Sequence, residues 1–75
     1  MANTTFSGPV ISNNGFTSTG FAFANLPSAT DNTGRILFCT DALKASETTG
    51  TGTGNLVFSD GSNWIRVDTG ATATA

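Results

Sequence analysis

Three short apolar runs, at 35–40, 55–59 and 63–68, stand out against a chain otherwise rich in Thr, Ser, Asn and Gly. The last two flank Asp60-Gly61-Ser62-Asn63. Asp-Gly between β-favouring runs is a strong hairpin signal, because Gly takes positive φ without a Cβ clash. The stretch 34–70 therefore predicts three antiparallel strands. Its organising hairpin covers 55–68, with the single Trp, Trp64, beside the turn.

The alternation also predicts a register. If Ser59 faces Trp64, then Phe58 faces Ile65 and Leu56 faces Val67, which gathers these large apolar side chains on one face. A loop of different length would set Phe58 against Asn63 and lose that match. In the run before the hairpin, Ile36 and Phe38 share one face and Leu37 and Cys39 the other. Both faces are apolar, so this strand is expected to be buried on both sides or packed against another subunit.

Elsewhere the pattern is weaker. Residues 1–5 are polar and read as an arm, and Phe6-Ser7-Gly8-Pro9-Val10-Ile11 reads as extended. Pro9 lacks an N–H and disfavours helix before it, which limits the segment to an edge strand or a surface arm. Asn13-Asn14-Gly15 is a turn. Residues 16–24 alternate as a strand, with Thr17, Thr19, Phe21 and Phe23 on one side and Gly20 marking a bend or close approach. Residues 30–34 form a loop. Residues 42–47 support one helical turn at most. Residues 48–54, with Gly at every second place, read as a flexible connector, the alternative being a finger that orders against a neighbour. Residues 71–75 either extend the last strand or fray. The expected organisation is an N-terminal arm over 1–12 and one small β-domain over 13–75.

Composition narrows the function. At 75 residues the chain holds one domain, too small to be comfortably stable alone. It starts with Met, so a complete small gene product is expected. One Cys and no His exclude an internal disulfide and leave no zinc ligand set, so oligomerisation is the expected support. Charged residues are 11% of the chain, against about 25% in an average domain, which suits a crowded protein–protein setting. A net charge of −2 with three basic residues argues against nucleic acid and against anionic membranes as partners. No apolar run approaches the length of a membrane span, and the N-terminus lacks the layout of a signal peptide. A lone Cys fits assembly in a cytoplasm.

No catalytic constellation is visible. A nucleophilic triad needs a base, and His is missing. Cys39 sits mid-strand without a partner and reads as a small buried hydrophobe. Four of the five carboxylates, Asp31, Asp41, Asp60 and Asp68, fall in or beside expected turns, where Asp caps backbone N–H groups. Asp31, Asn32 or Asp60 with loop carbonyls could hold Ca²⁺, although the spacing matches no EF-hand loop. The Gly tract at 50–54 has no following Lys and no helix to make a phosphate loop. Trp64, Arg66 and Phe58 could form a flat platform for a sugar or a protein partner. The alternative is that Trp64 simply covers one face of a thin sheet. No cofactor is expected.

Leu26-Pro27-Ser28-Ala29, Gly34-Arg35, Thr40-Asp41 and Phe58-Ser59-Asp60-Gly61-Ser62-Asn63-Trp64 together resemble a small β-module of tailed-bacteriophage tail-fibre and head-associated proteins. The opening Thr4-Thr5-Phe6-Ser7-Gly8-Pro9-Val10, with Asn14-Gly15-Phe16, is similar to the N-termini of small phage virion proteins. The resemblance covers most of the chain and implies a structural component of a virus particle. A decoration (cement) protein would be a compact trimer at junctions of the major capsid protein. A tail- or head-fibre piece would be a module in a long trimeric stalk. A short chain with its own Met and no shaft favours decoration.

The expectation is therefore an all-β protein: a small antiparallel, sandwich-like sheet with an extended N-terminal arm, intertwined as a homotrimer. The expected function is a non-enzymatic capsid decoration protein on the virion exterior. It would bind the major capsid protein and itself, and stabilise capsid junctions. Alternatives are a fibre module and a small carbohydrate-binding module. The expected partner-binding residues are Phe6, Pro9, Val10, Ile11, Trp64 and Arg66.

Overall fold

The computed structural model describes residues 4–75; the expected arm residues Met1–Asn3 lie outside them. The fold is all-β, a four-stranded mixed sheet in the order β1-β2-β3-β4. The strands are β1 (Gly20–Phe21), β2 (Ile36–Cys39), β3 (Asn55–Ser59) and β4 (Trp64–Arg66). The three strands of the second half sit where the apolar runs place them. β2 pairs antiparallel with β3, and β3 with β4.

The hairpin has the expected register: Ser59 stands opposite Trp64 and Phe58 opposite Ile65. The Val67 N–H donates to the Leu56 carbonyl at 3.1 Å, which continues it. The Asp60 carboxylate closes the turn from within, accepting the N–H groups of Ser62 at 2.9 Å and Asn63 at 2.8 Å. Gly61 takes φ +99°, open to a residue without Cβ.

Two expectations about the sheet need correction. The sheet is mixed, because β1 runs parallel to β2, with Gly20 opposite Phe38. The strand expected over 16–24 shrinks to two residues and is followed by a 3₁₀ turn at Phe23–Asn25. That turn is fixed by the Phe23 N–H donating to Asp41 Oδ1 at 2.8 Å. Gly20 is the close approach its position suggested: a Cβ there would stand 2.8 Å from Thr40 Cγ2.

The Gly tract is a fitted loop. Gly54 N–H donates to the Ala42 carbonyl at 3.1 Å, and Thr53 Oγ1 joins Glu47 Oε2 at 2.7 Å and Lys44 Nζ at 2.6 Å. A side chain on Gly52 would collide with the Asp41 carbonyl, and one on Gly54 with the Phe38 ring. Residues 42–47 form turns rather than a helical turn, and Ser46 takes φ +73°.

The C-terminal residues neither extend β4 nor fray. They turn at 67–70 and come back along it: Ala73 N–H donates to the Trp64 carbonyl at 2.8 Å, and Ile65 bridges Thr72. Leu43 N–H reaches the Thr74 carbonyl at 2.9 Å.

The core is small. Leu37, Cys39, Ala42, Val57, Trp64 and Ala73 form it, with Phe21, Leu26 and Ala29 packed alongside. All of it lies on one side of the sheet. Among the described residues no helix is long and apolar enough to cross a membrane.

Candidate functional site

Strand alternation divides the sheet into two unlike faces. On the inner face Leu37, Cys39, Val57, Ser59 and Trp64 are buried. On the outer face Ile36, Phe38, Leu56, Phe58 and Val67 are exposed, Ile36 by 61%. Ile65 shares that face but is covered beside the Thr72 bridge. The outer positions of β2, β3 and β4 are thus apolar without exception, and β1 contributes Gly20, which keeps that edge flat. Single exposed apolar residues are ordinary, but a contiguous apolar sheet face marks a contact surface. β2 was expected to be buried on both sides or packed against another subunit; within one chain it is covered on one side only.

The inner side is closed by loops that the sequence keeps far away. The Trp64 indole N–H donates to the Pro27 carbonyl at 2.8 Å, across 37 positions. Ser59 Oγ donates to the Ala29 carbonyl at 2.5 Å and accepts from Gly61 N–H at 3.1 Å. Gly34 N–H donates to the Ser59 carbonyl at 2.8 Å, and Ser59 N–H to the Arg35 carbonyl at 3.0 Å. The Leu-Pro-Ser-Ala, Gly-Arg and Phe-Ser-Asp-Gly-Ser-Asn-Trp segments are therefore one hydrogen-bonded unit holding a loop over the core. Their role in this chain is to build the fold.

This bears on the expected platform. Trp64 is buried and its only donor is used, so it presents no open ring. Phe58 points to the opposite face, as the hairpin register requires, so Trp64, Arg66 and Phe58 share no surface. Arg66 is bound by Asp68, Nε to Oδ1 at 2.8 Å and Nη2 to Oδ2 at 3.0 Å. Asp68 also accepts Asn55 Nδ2 at 3.0 Å and Ala45 N–H at 2.8 Å. These donors, the Arg66 guanidinium first, hold the Asp68 carboxyl well below the usual carboxylate range. Asp68 thus ties the 42–47 segment to the hairpin, and Arg66 holds Asp68 in place.

Phe6, Pro9, Val10 and Ile11 lie outside the sheet in an exposed segment that bends at Ser7-Gly8 and turns at Asn13-Asn14, where Ser12 Oγ donates to the Gly15 carbonyl at 2.6 Å. Ile11 is 86% and Phe6 67% exposed. Phe16 belongs with them and was not singled out. The outer-face residues were also missed as a site, although the apolar pairing of Leu56, Phe58 and Val67 carried the signal.

The remaining polar groups serve the backbone. Glu47 is held low by Thr53 and by the Lys44 N–H, and Asp60 by its two turn N–H groups. The Asn32 side chain bonds Arg35 and the Ser28 carbonyl. Cys39 is fully buried, and burial pushes its thiol up. Among the described residues no group of three or more His, Cys, Asp or Glu side chains could hold a metal ion. Comparison with protein families, curated proteins and solved structures finds no match.

Proposed function

We propose that this chain is a non-enzymatic structural protein of a bacteriophage particle, a capsid decoration protein acting as a homotrimer. The observation that carries the reading is the uncovered outer face of the sheet, apolar at every strand position in a chain with few charges. A protein of this size that leaves such a face open is built to be completed by neighbours. The likeness of its fold-building segments to phage virion modules supplies the setting. In this role the trimer sits over junctions of the major capsid protein. Three weak sites on one particle-bound trimer gain strength by effective concentration.

The exposed Phe6–Ile11 arm suits addition to an open sheet of the capsid or of a sister subunit. The experiment is rebinding of purified protein to capsids lacking it, scored by occupancy and by resistance of the particle to heat. Saturable binding with raised heat resistance is expected, and loss of occupancy on removing residues 1–11. A stable trimer that ignores capsids would overturn decoration in favour of the fibre module.

A further inference from the structure

The chain exposes two apolar surfaces that do not meet within it. One is the outer face, centred on Phe38, Leu56 and Phe58. The other is the exposed segment carrying Phe6, Val10, Ile11 and Phe16. We propose that the outer face of each copy is covered by the 4–16 segment of a second copy. This rests on the homotrimer of the proposed function and names the surface that forms it.

The area fits. The chain exposes 5227 Å², whereas a compact monomer of its mass exposes about 4300 Å². The excess, roughly 900 Å², matches the ~800 Å² that one partner loses in a standard interface. The radius of gyration, 13.1 Å, likewise exceeds the ~11 Å of a compact domain of this length. Both excesses show that part of the chain stands off the compact body of the fold, leaving surface open for a neighbour.

Reach and chemistry fit as well. Even with its bend at Ser7-Gly8 and its turn at Asn13-Asn14, the stretch 4–12 alone can reach up to roughly 30 Å, more than the ~15 Å across four strands. Neither surface carries a charged side chain: residues 4–16 contain none, and the outer strand positions are apolar. A charged or strongly polar partner would leave the face without complementary groups, whereas this segment supplies apolar side chains separated by Gly, Ser and Pro. Each copy has one segment to give and one face to fill, so handing the segment on in one direction closes a ring without a leftover face.

The test uses the full chain. In a Cys39→Ala background, an Ile11→Cys chain is mixed with a Leu56→Cys chain and oxidised gently. The expected product is a disulfide between the two different chains. Native mass spectrometry across dilution follows Phe6→Ser/Ile11→Ser and Leu56→Glu. The substituted side chains are solvent-exposed, and circular dichroism verifies the fold. Each should shift oligomer dissociation at least tenfold toward folded monomer. A wild-type chain that is monomeric at every concentration overturns the inference. So does an oligomer that neither variant weakens and that forms no mixed disulfide. A cross-linked dimer would uphold the contact between segment and face while overturning the trimer. Loss of capsid binding with the disulfide intact would overturn decoration alone.

Discussion

The indole N–H of Trp64 and the carbonyl of Pro27, 2.8 Å apart, fasten the hairpin to a loop on the far side of the core. Ser59, directly opposite Trp64, repeats the arrangement from the facing strand by donating to the Ala29 carbonyl. These two bonds settle which side of the sheet becomes the interior. The loop at 26–29 and the returning C-terminal residues cover the Trp64 side, and the Phe58 side is left open.

Truncating Trp64 should therefore act on the fold. Trp64→Ala removes the largest core side chain and should cost about 3–5 kcal/mol. Trp64→Phe keeps most of the apolar volume but leaves the Pro27 carbonyl without its donor, at a cost of about 1–2 kcal/mol. Urea unfolding, monitored by circular dichroism, measures both. Equal stability of wild type and Trp64→Ala would mean the ring is not in the core.

Glycines in the 48–54 segment should differ sharply. At Gly52 an added Cβ meets the Asp41 carbonyl, which cannot move without breaking the Ala42–Gly54 pairing, so Gly52→Ala should cost more than about 2 kcal/mol. Gly50 has open space but φ +87°, so Gly50→Ala should cost about 1 kcal/mol. Gly8 has neither restraint, and its Ala variant should stay within about 0.5 kcal/mol of wild type. Three equal midpoints in urea would return the segment to a flexible connector.

Much of the sheet could be read from the chain alone, and the reasons are local. Two-residue alternation and an Asp-Gly turn fix β3, β4 and their register within a dozen residues of sequence. β1 was overread because residues 16–24 alternate well, while the pairing partner that limits the strand lies elsewhere in the chain. Parallel pairing leaves no local mark. The Gly tract was misread because sequence shows that Gly is flexible but not that a neighbouring carbonyl forbids anything larger. For the candidate site, the Leu56, Phe58 and Val67 side was legible, but its exposure was not. Whether it meets water depends on where Pro27, Ala29 and Ala73 pack.

Cys39 should be inert in the folded chain. It is fully buried between strands, its Sγ lies 3.7 Å from Asp41 Oδ1, and burial favours the neutral thiol. A thiol reagent such as dithionitrobenzoate should label it only after denaturant is added. Labelling in buffer at the rate of a free thiol would show that the inner face opens readily.

Acid should loosen the fold through its carboxylates. Asp68, Glu47 and Asp60 are all held below their ordinary values by hydrogen-bond donors, Arg66 being the main one at Asp68. The unfolded chain takes up these protons near pH 4, while the folded chain resists them to lower pH. Their stabilisation is thus present above about pH 4 and is lost as pH falls through the folded values. Melting temperature should be level from neutral pH to about pH 5 and then drop. Asp68→Asn keeps the shape but cannot hold Arg66 as an ion pair. It should lower the neutral-pH melting temperature and flatten the acid limb. An unchanged acid limb in this variant would place the acid sensitivity on Glu47 and Asp60, which the double variant Glu47→Gln/Asp60→Asn then tests.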